Sequence, residues 1–206
     1  MRTQIILALL ILVPTVMYGV FQTYRHFLPA KVAHLLGMLS YWVVLLVVSL
    51  VLLGKSGVLR VVTNHAALNA WLWILLALPV GLAFGFGPFA RQLPFVTPIV
   101  FLLSAVLALV NASLEELFWR GVYVDSFSGL WMAWLYPAIA FAIWHFAPLS
   151  VIPYRRGAMF FVLSAFFLGL CWGFVAFTTK SIGWNIASHF LVDFSGFGAL
   201  LYLGDK

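Results

Sequence analysis

Along this chain apolar residues come in long runs instead of alternating with polar ones. Runs at 5–21, 32–53, 68–86, 96–122, 130–146, 158–177 and 182–203 approach or exceed the ~20 mostly apolar residues that a bilayer-spanning helix needs. The pattern predicts an all-α, polytopic membrane helix bundle with about seven transmembrane helices. The connections are short and carry turn formers: Leu28-Pro29, Gly54 to Gly57, Gly87-Pro88, Pro94, Pro148 and Pro153. None is long enough to separate domains. The expectation is one transmembrane protein domain over residues 1–206, its most informative part at 96–203. The first run follows Met1-Arg2 as a signal peptide would, but it is long for such a segment and lacks a clear small-x-small cleavage site. It is expected to be a retained helix.

Composition agrees with this pattern. Of 206 residues, 65% are hydrophobic and 8% charged, against roughly 45–50% and 25% in a soluble domain. Eleven Lys+Arg and five Asp+Glu cannot clothe a water-facing surface. A soluble globular domain, a disordered chain and a nucleic-acid binder are excluded on these grounds. The net charge of +6 comes from singly scattered residues that form no stripe, and they read as membrane-flanking anchors. Seven spans would put Arg2, Lys55, Arg60, Arg120 and Lys180 on one side. Arg25, Lys31, Arg91, Arg155, Arg156 and Lys206 would lie on the other, a balance that selects no orientation. The single cysteine, Cys171, leaves no internal disulfide and no Cys-based zinc site, and reads as a small core residue. With no disulfides and no organelle address, a bacterial cytoplasmic (inner) membrane is the expected location.

Ionisable residues inside apolar spans are costly and mark function or a packing-critical pair. Three groups stand out. In Asn111-Ala-Ser-Leu-Glu115-Glu116-Leu-Phe-Trp-Arg120, Glu116 and Arg120 are four apart and share a helix face, which suits an ion pair. Glu115 is five residues from Arg120, about 140° around the helix, and is left for chemistry. Ala112, Asn111, Ala108 and Ser104 on its side allow close packing. The plainer reading is a helix end whose carboxylates touch headgroups. The second group is Phe141-Ala-Ile-Trp-His145. The third is Asn185, His189 and Asp193 at i, i+4 and i+8, three polar groups on one face that cannot meet lipid without severe desolvation. A hydrogen-bonded seam between helices is the plainer reading there. His26, His34 and His65 are expected to be interfacial, and Asp125 and Asp205 loop or terminal charges. Trp71, Trp73, Trp131, Trp134 and Trp184 suit an aromatic belt or core.

Two chemistries follow. Glu115 could act as general base on a water held by His145, with His189 donating to the oxyanion of an attacked peptide carbonyl. Alternatively, the histidines and Glu115 could bind zinc. No His-Glu-x-x-His motif supports zinc, and no Gly-x-Ser-x-Gly elbow marks a serine nucleophile.

Glu115-Glu116-x-x-x-Arg120, then Phe141-x-x-x-His145, then His189-x-x-x-Asp193 resembles the CPBP (Abi) family, which comprises CAAX-processing endopeptidases and bacteriocin-processing or self-immunity proteins. The resemblance implies an intramembrane protease of the glutamic type. It implies water activation by Glu115, water positioning by His145, and an oxyanion side formed by His189 with residue 193. Glu116 and Arg120 would support, as would Asn185 on the third motif's face. The implied route needs no cofactor, with zinc as the lower-ranked variant. The family commonly has Asn where this chain has Asp193.

The expected activity is therefore an endopeptidase acting in or beside the bilayer on a membrane-associated protein or peptide. Its target would be a prenylated or otherwise lipidated C-terminus, a secretion leader or a sorting tail. The alternative is a non-catalytic self-immunity or scaffold protein on the same fold. A proton-coupled carrier is disfavoured, because no inverted repeat is present. Cleavage by Asp193→Asn separates two roles for that position. Retained activity marks an oxyanion donor. A large loss with intact folding marks a carboxylate that orients His189.

Overall fold

The computed structural model describes residues 2–64 and 67–203; His65, Asp205 and Lys206 lie outside the described residues. All regular structure among the described residues is helical. This suits lipid, where a helix satisfies its backbone N–H and C=O groups within itself.

Helix α1 spans Arg2–Phe27 and α2 Ala30–Thr63. α2 is far longer than a bilayer requires, and it breaks at Gly54 (φ 64°, ψ 172°), a left-handed backbone that favours glycine. Helix α3 covers Ala70–Phe86 and leads through a short bent segment, Phe89–Phe95, into α4. α4 runs Pro98–Ser126, with a π-helical segment over Leu117–Val122. Helix α5 spans Trp131–Leu149 and is broken at His145, where ψ is −16°. Helix α6 spans Ala158–Thr179 and stops at Lys180, which is left-handed (φ 55°). Helix α7 is Gly183–Phe194.

Five of these, α1, α2, α4, α5 and α6, are long and apolar enough to cross a membrane. A sixth appears if α3 and its 44° bent continuation count as one span. The seventh expected run, 182–203, is not one helix. α7 has 12 residues, about 18 Å, against a hydrocarbon core of ~30 Å. The chain then turns through Ser195 and Phe197 (φ 42°) before a last helical turn at Leu200–Leu203. Continuous apolar composition conceals this break in the helix. α7 is instead held inside the bundle, against α4 and α3.

Helices in lipid gain little from hiding apolar surface, so they associate through close packing and hydrogen bonds. α2 buries one residue per turn along Ala33, Gly37, Tyr41, Leu45, Ser49, Leu53, Gly57 and Val61. The expected small face of α4 is buried as well, at Ser104, Ala108 and Ala112. The Ser104 hydroxyl accepts from the Ala199 N–H at 3.1 Å, which ties down the segment after α7. At one end of the bundle Arg2 donates to the Leu52 carbonyl (2.6 Å), Arg60 pairs with Asp125 (3.0 Å) and Lys180 donates to Val124 and Phe127 carbonyls (3.4 Å each). Arg120 does not join this group of anchors; it is buried. Trp71, Trp73, Trp131 and Trp184 are exposed as a belt would be, whereas Trp134 turns inward and donates to the Leu170 carbonyl at 2.9 Å.

A Cβ at Gly37 would sit 2.6 Å from the fully buried Phe21 ring. Gly37→Ala is therefore expected to force α1 from α2 and destabilise the protein by about 1–3 kcal/mol. Thermal unfolding in detergent reads this; an unchanged midpoint contradicts the contact.

Candidate active site

The three motif groups of the sequence meet in the middle of the bundle, on α4, α5 and α7. Glu115 and Glu116 are adjacent on α4, yet their surroundings differ completely. Both are buried, at 1% and 0% exposure.

Glu116 is surrounded by polar donors. Arg120 Nη1 donates to its Oε1 at 2.8 Å, and His189 Nδ1 meets the same oxygen at 2.9 Å. Asn185 Nδ2 donates to Oε2 at 3.2 Å and to the Trp172 carbonyl at 2.7 Å. The Arg120 guanidinium lies 4.2 Å from the Phe141 ring centroid and 5.4 Å from that of Trp172, a cation–π arrangement that suits a desolvated cation. His189 stacks on Trp172 at 4.1 Å. Trp172 in turn is anchored by donating to Ser188 at 3.0 Å, whose hydroxyl donates to the Leu76 carbonyl at 2.7 Å. Thus α3, α6 and α7 all converge on the ring that supports His189.

Glu115 has neither Arg nor Lys among its hydrogen-bond partners. Its Oε1 accepts from the Tyr41 hydroxyl (2.9 Å) and from Trp144 Nε1 (3.0 Å). Its Oε2 lies 3.2 Å from Asn111 Nδ2, which donates to it, and 3.4 Å from His189 Nε2. The Asn111 amide also donates to Asp193 Oδ2 at 2.9 Å, and its own carbonyl oxygen accepts from Trp42 Nε1 at 2.8 Å. An indole N–H only donates, so the Trp42 contact settles which way this amide points.

The stripe Asn185, His189, Asp193 faces α4 as its spacing requires. Its i, i+4 spacing also brings Asp193 within reach of His189. That contact is 3.5 Å, at the edge of hydrogen bonding, whereas Glu116 reaches the other ring nitrogen at 2.9 Å. The i+4 spacing brings Asp193 near; the packing of α7 on α4 gives the shorter bond to Glu116. His145 closes the cluster at the break in α5. Its Nδ1 sits 2.7 Å from the Phe141 carbonyl oxygen and its ring lies edge-on to Phe141 at 4.8 Å. The Nδ1–H therefore donates there and the Nε2 lone pair is the free acceptor. His145 and Asp193, unlike Glu115 and His189, are only partly buried, so they form the open rim.

Tyr41, Trp42 and Trp144 escape the sequence analysis, because nothing in a helical pattern tells which aromatic reaches a polar group on another helix, as Tyr41 reaches Glu115 74 residues away. Asn111 carried a usable signal: it is a polar residue one turn before Glu115 in an apolar helix. His34 is part-buried and its Nδ1 lies 2.9 Å from the Tyr202 hydroxyl, away from the cluster. Cys171 is buried and free. A cleft between α1 and α5 is lined by Pro14, Thr15, Tyr18, Ile143, Phe146 and Ala147, none of them in the cluster.

Fold and site define an all-α polytopic membrane protein with a buried glutamate–histidine centre. Residues 96–195, just under half of the chain, match the family of type II CAAX prenyl endopeptidase Rce1-like proteins. This match is consistent with the CPBP/CAAX protease resemblance of the motifs, and all three motif groups fall inside the matched segment. No curated protein and no solved structure matches the chain significantly. The family is one of proteases, which supports a CAAX-type membrane protease activity in general.

Removing Arg120 while keeping Glu116 would leave a buried carboxylate short of its only guanidinium. Arg120→Met is expected to cost about 3–5 kcal/mol of stability. The double variant Arg120→Met, Glu116→Gln should recover part of that in the same unfolding assay.

Proposed function

We propose that this chain is an intramembrane endopeptidase in which Glu115 activates a water for attack on a peptide carbonyl. The observation that carries the reading is the division of labour between two adjacent buried acids. Glu116 is held by Arg120, His189 and Asn185. Glu115 has neither Arg nor Lys bound to it, and its Oε2 lies 3.4 Å from Nε2 of His189.

In this reading the attacking water gives a proton to Glu115 while His145 accepts a hydrogen bond from it through its free Nε2. The water oxygen bonds to the carbonyl carbon, and the carbonyl oxygen becomes an oxyanion. His189 donates to that oxyanion through Nε2. Its Nδ1 proton rests on Glu116, so this carboxylate stabilises the donating ring. Glu115 then returns its proton to the leaving amine as the C–N bond breaks, and a carboxylic acid and an amine result. Asp193 accepts from Asn111 and orients the rim, a role that agrees with its carboxylate being an acceptor. Asn185 and Arg120 hold Glu116 in place.

The reading routes no step through a metal and uses no cofactor. The substrate class we favour is a membrane-associated protein with a prenylated or otherwise lipidated C-terminus, as the family description implies. We place the protein in a bacterial inner membrane.

The test compares protein termini in membranes of cells with the native chain or Glu115→Gln at equal abundance. New termini that depend on Glu115 are expected, with loss of about 10²–10⁴-fold in cleavage rate when the base is removed. Identical termini from both chains, with the protein folded, overturn the reading.

A further inference from the structure

The cluster is completed from outside its family-matched segment. Tyr41 lies on α2, beyond residues 96–195, and it is fully buried. Its ring stacks on Trp144 at 3.5 Å between centroids, 12° from parallel. Trp119 Nε1 donates to the Tyr41 oxygen at 2.7 Å. An indole nitrogen donates and cannot accept, so the phenol oxygen accepts there and spends its single proton elsewhere. That proton points at Glu115 Oε1, 2.9 Å away. Trp144 Nε1 donates to the same oxygen. Two donors with fixed direction therefore occupy Oε1, and a proton on that oxygen would collide with both.

The other oxygen is held differently. Oε2 has longer contacts, 3.2 Å to Asn111 and 3.4 Å to His189, and lies on the side of His189 and Asp193. We propose that Tyr41 is a positioning residue which, with Trp144, commits Oε1 of Glu115 to accepting and makes Oε2 the oxygen that takes the proton of the attacking water. The two aromatic donors thus choose between two chemically equivalent atoms. They also aim the reactive one at the oxyanion side, where His189 waits. The inference rests on the reading of Glu115 as general base.

Tyr41→Phe tests it, because the ring and its stacking on Trp144 remain while the hydroxyl is lost. The probe is a peptide spanning the Glu115-dependent cleavage point found in the membrane comparison, with its lipid where it carries one, turned over by the full chain in proteoliposomes. The expected result is a fall in kcat of about 10- to 100-fold with KM unchanged, as for loss of one hydrogen bond to a charged group. In a Glu115→Asp background the shorter carboxylate no longer reaches the phenol, so adding Tyr41→Phe should lower kcat no further. Native kcat for Tyr41→Phe, or an equal loss in both backgrounds, overturns the proposal. If Tyr41→Phe does not fold, Trp144→Phe removes the second donor to the same oxygen, and the same kcat loss with unchanged KM is expected. The two readings fail separately. Glu115→Gln with native turnover sinks the general-base reading. An inactive Glu115→Gln beside a fully active Tyr41→Phe sinks this inference alone.

Discussion

The buried carboxylate of Glu116 is the constraint on which the rest depends. A single charge in an apolar bundle is tolerable only when it is paired and hydrogen-bonded. Here Arg120, His189 and Asn185 share that task from α4 and α7. To bring Asn185 and His189 onto Glu116, α7 must pack face to face with α4, and α4 must keep small residues on that side. Ser104, Ala108 and Ala112 do so. The half-length α7 follows from the same demand, since its polar stripe belongs inside the bundle and has no use for the full membrane thickness.

Aromatic rings supply what lipid and water cannot. Trp172 backs His189, and Phe141 and Trp172 flank Arg120. Tyr41, Trp42, Trp119 and Trp144 deliver N–H and O–H groups of fixed polarity to the Glu115 side. Such donors suit a desolvated centre. They satisfy a carboxylate without neutralising it, whereas another Lys or Arg would hold it as an ion pair. Two adjacent acids thereby acquire different environments, one clamped by Arg120 and the other held by neutral O–H and N–H donors beside His189.

Much of this was legible in one dimension. The helical bundle, the Glu116–Arg120 spacing and the shared face of Asn185, His189 and Asp193 follow from composition and a 3.6-residue period. The ion pair forms at 2.8 Å even though a π-helical segment begins at Leu117, directly after Glu116. That segment itself left no mark in the sequence pattern, because it depends on a helix being forced to carry an extra residue. The two helical pieces within 182–203 show a related limit: hydropathy records whether a segment avoids water, and not whether it runs straight.

Sequence alone determined what must be hidden. Sixteen charges among 206 residues made each acid within an apolar run a residue needing a partner, and helical spacing named local partners within a turn or two. Tertiary structure decided the partners that come from elsewhere. Glu116 rather than Asp193 makes the short bond to His189, and Tyr41 on α2 reaches across to Glu115. Spacing governs contacts within one helix. Contacts between helices depend on how each is rotated about its own axis, and that rotation is set by the packing of the whole bundle at once.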